Sequence, residues 1–387
     1  MKIAVDPWTL ASRFRCQGTY VYTQHLIREF KKIAQNDMET SFCLFASQGS
    51  SNDAAHVGPE TNFEVRSAPM LDHDRLWRVG GVSLAAAQAK ADLLFAPTSS
   101  MLPVGLVPVV CMIHDVTALR MPSHSARVTR LLRFLLWASV KFSRSLITNS
   151  EYSKQDIVSL YGVPESKVSV VYLGYDKAVF NSALADGDAC KALRKRLGIE
   201  RPYVLHHGTI QPRKNLQRLI EAYRLMLSRD RNLDLDLVLA GRLGWEYEAI
   251  LAAGNDNAGS RGKVIFPGML EDADLAVLIK SASLVVIPSL YEGFCLPMVE
   301  AMACGTPTVV SNTSCLPEIS GNALAYFDPC SVEEIAGQMQ SVLLDRERSA
   351  QLRKQGLERA REFSWERCAQ ETLRVFRDAA DRRPAKS

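Results

Sequence analysis

Short runs rich in valine, isoleucine and leucine alternate with helical patterns along this chain, and the alternation is laid down twice. The first set reads KIAVD, a helix from about Gly18 to Gln35, DLLFA, VPVVCMIHD, a long helix near 125–144, SLITNS and VSVVYLG. A second set begins at YVLHHG. It continues with NLQRLIEAYRLML, where Leu216, Leu219, Ile220, Tyr223, Met226 and Leu227 recur at helical spacing, and with DLDLVLAG, KVIFPG, LVVIPS and PTVVSN. Strands alternating with helices of this length imply parallel sheets built from βαβ units. At 387 residues the chain also exceeds what one core usually supports, so each set is expected to form its own domain.

Between the sets, FNSALADGDACKALRKRLGIERP has several turn residues and few strand signals, which places a boundary within 180–200. The expected domains are 1–185 and 186–365. The tail FSWERCAQETLRVFRDAADRR has helical periodicity through Trp365, Cys368, Leu373 and Phe376, so 366–387 is expected to pack back on the first domain.

Apolar residues make up 47% and charged residues 23%, a balance that excludes disorder for the bulk of the chain. A net charge of +4 is too small to imply nucleic acid as a partner. Nine cysteines lie scattered without a C-x-x-C pair, which argues against a disulfide framework or a zinc site. MKIAVDPWTL has no signal-peptide core, and no run reaches the eighteen or so apolar residues of a spanning helix. A cytoplasmic protein is expected.

Tandem doubly wound domains bind ligands at the carboxyl ends of their strands, so residues just after strands carry the most information. Neither G-x-G-x-x-G nor G-x-x-x-x-G-K-[ST] occurs, which argues against a dinucleotide oxidoreductase or a P-loop enzyme. Instead LVVIPS is followed by YEGFCLPMVEAMACG, with Glu292 and Glu300 eight residues apart. Pro297 suits the first turn of a helix and Gly305 its end. The loop Gly293, Phe294, Cys295 and Leu296 then offers amides at the positive end of that helix, an anion site. A carboxylate accepts hydrogen bonds from paired hydroxyls, so the two glutamates can hold sugar and ribose diols on either side of a diphosphate. Arg213 and Lys214, in HHGTIQPRKN, supply the counter-charge a diphosphate needs.

The segment EGF-x-x-P-x-x-EAM resembles the E-x7-E signature of the retaining family-4 glycosyltransferases. Further pieces match in order: Gly18-Thr19-Tyr20, His114-Asp115, Asn149-Ser150-Glu151, Gly208-Thr209, Arg213-Lys214-Asn215, Pro317-Glu318 and Phe363-Ser364-Trp365. The resemblance covers nearly the whole chain. It implies an α/β chain of the GT-B fold, two Rossmann-like doubly wound domains facing a central cleft, with a nucleotide-diphosphate sugar as donor, no cofactor and no metal. By the same resemblance Glu292 holds the donor sugar, Glu300 the ribose, and Arg213 with Lys214 the diphosphate. His114 approaches the reacting centre, Gly18 lies beside the phosphates, and Met269 and Leu270 meet the base. Gly208 and Thr209 complete the donor site, while Tyr20 and Ser150 contact the acceptor. Cys295 departs from the pattern, standing where glycine is common, and Leu173-Gly174 replaces the more usual Asn-Gly.

Several features have a plainer reading. His114 can be a satisfied histidine at a strand end, and His206 and His207 are expected to pack in the core. The triplets Asp72-His73-Asp74 and Asp234-Leu235-Asp236 have metal-binding form, but the first sits in a polar loop and the second opens a strand at the wrong edge. The helix of 125–144 is basic and apolar without one acid from Val116 to Ser150. It either packs between strands with a wet basic face or lies on anionic lipid at the inner face of the cytoplasmic membrane. The expected activity is metal-independent transfer of a hexose, mannose from GDP-mannose, to a glycan or lipid-linked glycan in surface-polysaccharide assembly. The alternatives are a GT-B sugar-nucleotide epimerase or phosphorylase, or a non-catalytic nucleotide-sugar-binding protein.

Overall fold

The computed structural model describes all residues except 11–17, 38, 47–61, 69–72, 74–75, 122–125, 184–186, 257–260 and 382–387. The chain forms two compact units. Unit 1 comprises Met1–Gly174 together with Trp365–Ser387, and unit 2 comprises Tyr175–Ser364.

Unit 1 is built on strands β1 (Lys2–Val5), β2 (Ser41–Ala46), β3 (Phe63–Ser67), β4 (Leu93–Ala96), β5 (Val109–Ile113), β6 (Ser145–Thr148) and β7 (Val168–Val170). Every pairing among them is parallel, in the order β3-β2-β1-β4-β5-β6-β7. Its helices are α1 (Gly18–Asn36), α2 (Val82–Gln88), α3 (Thr117–Arg120), α4 (Ala126–Phe142), α5 (Glu151–Tyr161) and the last helix of the chain, Trp365–Asp381. That helix packs on α1: Trp365 stacks on His25 with ring centroids 5.0 Å apart, and Phe376 sits 5.9 Å from Phe30 and 4.9 Å from Phe95.

Unit 2 has strands β8 (Tyr203–His207), β9 (Asp236–Ala240), β10 (Val264–Gly268), β11 (Leu284–Ile287), β12 (Thr308–Ser311) and β13 (Ala325–Phe327), all parallel, in the order β10-β9-β8-β11-β12-β13. Its helices are α6 (Asp188–Arg196), α7 (Leu216–Arg229), α8 (Glu248–Asn255), α9 (Asp272–Lys280), α10 (Leu296–Ala303), α11 (Leu316–Ser320), α12 (Val332–Leu344) and α13 (Arg346–Ala360), which makes the last helix α14. Strands β8, β9 and β11 are buried throughout, as expected of parallel strands covered on both faces. The periodic face of α7 meets that core through Leu219, Ile220, Tyr223 and Met226.

The sheets share one topology. In each, the strand order reverses beside the first strand, between β1 and β4 and between β8 and β11. Such a switch opens a crevice at the carboxyl ends of the two strands.

Three strands, β2, β3 and β13, add to those read from the sequence. The change of unit falls after Gly174, upstream of the span inferred from turn composition. The reason is local: Ser182 already bonds within unit 2, its carbonyl accepting from Lys280 Nζ at 3.1 Å, although no strand or helix marks the segment.

Candidate active site

Unit 2 brings the sequence-selected residues together at its switch crevice. His207 ends β8, and Gly208 and Thr209 follow it. The chain then makes a 3-10 turn over Pro212–Lys214, and α7 begins only after Asn215, which adopts a left-handed φ of 57°. Arg213 and Lys214 therefore precede the helix rather than open it. On the neighbouring strand, β11 leads through Tyr291 and Glu292 into α10.

Glu292 is 5% exposed, and both its oxygens are held. Lys214 Nζ donates to Oε1 at 2.6 Å and Arg213 Nη1 to Oε2 at 2.8 Å. The guanidinium also bonds the Tyr291 carbonyl, and the Leu290 amide donates to the Arg213 carbonyl at 3.0 Å. Burial alone would raise the Glu292 carboxyl, but Arg213 and Lys214 outweigh it and hold the group at about 2. The cluster is thus one carboxylate and two cations, a net positive charge beside the amino end of α10. Such a place attracts a ligand of negative charge, and Arg213 and Lys214 do not take all the lone pairs of the carboxylate.

Glu300 lies one turn inside α10. Its Oε2 stands 3.2 Å from His207 Nε2, so His207, expected to be core, is a buried side chain that grips a site carboxylate. A carboxylate only accepts, so Nε2 carries the proton. The partner of His207 is 93 residues away, beyond the reach of local pattern. His206 does pack inward: Nδ1 donates to the Val286 carbonyl at 3.0 Å, and burial, with Lys214 adding to it, pushes the ring down to about 3 and keeps it neutral.

Backbone geometry explains the glycines here. A Cβ on Gly241, at φ +148°, would stand 1.9 Å from the Gly208 carbonyl oxygen, so the loops after β8 and β9 close on each other only without a side chain. Cys295, the departure from the family pattern, has φ 76° at the amino end of α10, a left-handed conformation that glycine adopts more cheaply. Burial pushes its thiol up to about 12, with Glu292 adding to the effect, so it is no nucleophile near neutral pH. Gly293 and Phe294 are buried beside it, with Leu296 half-buried. Met269 is exposed and Leu270 half-buried at the carboxyl end of β10, on the far side of β9 from β8.

Unit 1 carries the remaining candidates. His114 follows β5; its Nε2 donates to the Pro97 carbonyl at 3.0 Å, its ring meets Tyr22 edge to face, and desolvation lowers its pKa, which keeps it neutral. Gly18 is the exposed first residue of α1, and the residues just before it lie outside the description. Tyr20 is buried in α1. Ser150 is fully buried, and its Oγ accepts from the Ser153 amide at 3.1 Å. The hydroxyl is the amino-terminal cap of α5. Beyond the ends of β4 and β5 lies a cavity of about 230 Å³, lined by Ser100, Asp115, Thr117 and Thr129 with Leu132 and Leu136 of α4. Ser100 Oγ and Thr117 Oγ1 are buried there without a partner among the described residues. No sequence pattern singled this cavity out.

Of the two Asp-x-Asp triplets, Asp72 and Asp74 lie outside the described residues. Asp234 and Asp236 flank Arg201, at 3.3 and 4.0 Å, at the amino end of β9 and away from the crevice. Among the described residues, no three His, Cys, Asp or Glu side chains converge as a metal site.

Residues 17–179 match the family model Glycosyltransferase Family 4, and residues 191–359 match Glycosyl transferases group 1. The chain is 30% identical over 287 residues to an O-antigen chain mannosyltransferase B of Escherichia coli, covering 74% of each. It is also 30% identical over 272 residues to a serotype-specific mannosyltransferase WbdA of the same species, covering 69% of this chain but 33% of that protein. Among solved structures, a sucrose-phosphate synthase from Thermosynechococcus elongatus aligns with a TM-score of 0.74 at 18% identity over 98% of both chains. HepE of Anabaena, in complex with UDP-glucose, aligns with a TM-score of 0.73 at 20% identity, over 98% of this chain and 100% of that one. At such identities the likeness to these structures is one of fold, the GT-B fold.

Proposed function

The chain belongs to the family-4 glycosyltransferases, and from that premise we propose that it moves mannose from GDP-mannose, with retention at the anomeric carbon, to a glycan or lipid-linked glycan in surface-polysaccharide assembly. The observation that carries the reading is the Glu292–Arg213–Lys214 cluster at the switch crevice of unit 2. Its net positive charge suits a diphosphate, and its carboxylate keeps lone pairs for sugar hydroxyls. The choice of mannose is supported by the names of the relatives at 30% identity.

In the proposed reaction the bond from the sugar C1 to the phosphate oxygen breaks. A hydroxyl of the acceptor forms the new C1–O bond on the same face, and its proton passes to the leaving diphosphate. Charge gathers on that diphosphate as the bond breaks, and Arg213 and Lys214 stabilise it by standing ready in a fixed arrangement. The amides at the start of α10 add to this. Glu300, oriented by His207, takes the ribose hydroxyls. The neutral thiol of Cys295 is consistent with transfer that uses no enzyme nucleophile. The hydroxyl-lined cavity of unit 1 is the proposed place for the acceptor sugar, with His114 just after the end of β5. The cations replace a divalent ion in this scheme. A several-fold loss of transfer on chelation, restored by magnesium, contradicts that part of it.

Slow hydrolysis of GDP-, UDP- and ADP-sugars by the purified protein tests the donor without an acceptor. GDP-mannose is expected to be consumed first. Glu292→Ala and Lys214→Ala should each abolish turnover, and normal rates in both variants refute the assigned roles. Release of an isomerised sugar nucleotide or of a sugar phosphate would identify an epimerase or a phosphorylase instead.

A further inference from the structure

Helix α4 hides one face and shows another that water does not explain. Leu135, Leu136, Ala138, Ser139 and Val140 are buried, whereas Leu131 is 51%, Phe134 50%, Trp137 43% and Phe142 56% exposed. The outward rings touch one another: Phe134 and Trp137 lie 5.8 Å apart and Trp137 and Phe142 5.6 Å apart. Arg127, Arg130, Arg133 and Lys141 are exposed among them, and no acid occurs between Val116 and Ser150. Arg133 Nε donates to the Ala118 carbonyl, a neutral group that leaves its charge uncompensated.

Charge decides between the occupants such a face can have. A second copy of the chain set against it would oppose bases to bases, which is repulsive. A neutral apolar partner would bury the charges of Arg127, Arg133 and Lys141 without pairing them, at high cost. An anionic bilayer meets both demands at once: aromatic rings settle at the headgroup level, while arginine and lysine stems lie along the apolar surface and place their charges among the phosphates. The helix is also well placed for this. Leu132 and Leu136, on its opposite side, line the hydroxyl-bearing cavity, so the cavity is separated from the outward face by about one helix diameter, ~10 Å.

We propose that unit 1 docks on an anionic lipid bilayer through the outward face of α4, at interfacial depth and without crossing it. Among the described residues, no helix is long and apolar enough to cross a membrane. The proposal deepens the acceptor reading given above and rests on it for its purpose: docking would hold a lipid-linked acceptor's sugars within reach of the cavity.

Co-sedimentation tests it, using vesicles of phosphatidylcholine alone and vesicles that also contain phosphatidylglycerol, at moderate salt. The protein is expected to bind only the anionic vesicles and to release them as salt rises. Each base removed should weaken binding about fivefold, so Arg127→Glu with Lys141→Glu should cost well over tenfold. Phe134→Ser with Trp137→Ser should abolish binding while the melting midpoint and donor hydrolysis stay as in the parent, because these side chains are exposed and outside the proposed reaction. Parent protein left in the supernatant with anionic vesicles overturns the proposal. So do vesicle binding unchanged in both double variants, and a parent dimer that the serine substitutions convert to monomer. If vesicle binding fails while transfer to a soluble glycan persists, docking falls and the transferase reading stands; if vesicles bind and no nucleotide sugar is consumed, the reverse holds.

Discussion

Glu292 is an acid whose burial opposes its charge and whose partners more than offset the opposition. Its carboxyl is held at about 2 in the folded chain against an ordinary 4.5, so the folded state binds its proton less readily than the unfolded state. The stability this contributes is fully present above pH 4.5 and is lost as pH falls from there toward 2. A depression of this size corresponds to about 3 kcal/mol. Denaturant titrations between pH 2.5 and 6 should show the parent losing much of that amount, and Glu292→Gln should flatten this part of the profile. At pH 7 the same variant should be less stable by about 3–5 kcal/mol, because Arg213 and Lys214 then face a neutral amide in a buried place. An unchanged pH profile would show that the three side chains do not meet in solution. His207 acts through Glu300 and so is a positioning residue. His207→Ala removes a hydrogen bond to a charged group, an interaction of about 1.5–3 kcal/mol, and should weaken nucleotide binding by about tenfold or more while leaving kcat nearly unchanged. His207→Gln, which keeps a donor, should recover part of the loss in KM. Equal losses in both variants, or a loss confined to kcat, would give His207 another role.

At the level of elements, burial made several strands legible, though not β2, whose central residues are equally buried. Strands β5, β8, β9 and β11 are covered on both faces and read as unbroken apolar runs. The edge strand β3 was not legible, because Glu64 and Arg66 point outward and interrupt its run; Glu64 pairs with Lys2 at 2.6 Å and with Arg66 at 3.1 Å. Strand β13 is only three residues long and carries no periodic signal. The site divides in the same way. Its motif residues announced themselves by chemistry and by following strands, whereas the His207–Glu300 pair and the unit 1 cavity arise from segments that only the tertiary fold brings together. Two glycines show how far context decides a substitution. Gly241 cannot accept a Cβ, which would stand 1.9 Å from the Gly208 carbonyl at a φ of +148°. Gly337 lies exposed inside α12 with nothing within 4 Å of a built Cβ. Gly241→Ala should therefore destabilise unit 2 by roughly 3 kcal/mol and impair nucleotide binding by displacing the loop after β8. Gly337→Ala should stabilise it by about 1 kcal/mol through helix propensity. Thermal melts of the two variants check the opposite signs, and a like sign would show that the close approach of the two loops is not maintained.

Across the whole molecule, the two units differ in how the chain supplies them. Unit 2 is one continuous stretch, Tyr175–Ser364, and holds His207, Arg213, Lys214, Glu292 and Glu300 together. Unit 1 is discontinuous: its sheet is complete by β7, yet α14 returns from the far end of the sequence to cover α1, with Phe376 set against Phe30 and Phe95. Truncation should therefore act asymmetrically. A chain ending at Ser364 exposes those aromatic rings, and the single change Phe376→Ala, which removes a fully buried side chain, should already cost unit 1 about 3–5 kcal/mol. The fragment 175–364 loses none of its own core, so it should unfold cooperatively by itself. Because the proposed donor contacts in unit 2 all lie within it, the fragment should bind the preferred nucleoside diphosphate within about tenfold of the whole chain, and it should transfer nothing, since the proposed acceptor cavity and His114 belong to unit 1. Calorimetric titration of the fragment and of the full chain with GDP and UDP decides the matter. A folded fragment that binds neither nucleotide, beside a full chain that does, would mean that unit 1 supplies an essential part of the donor site. A fragment that binds as the whole chain does would confine nucleotide recognition to the continuous unit and leave catalysis to depend on both.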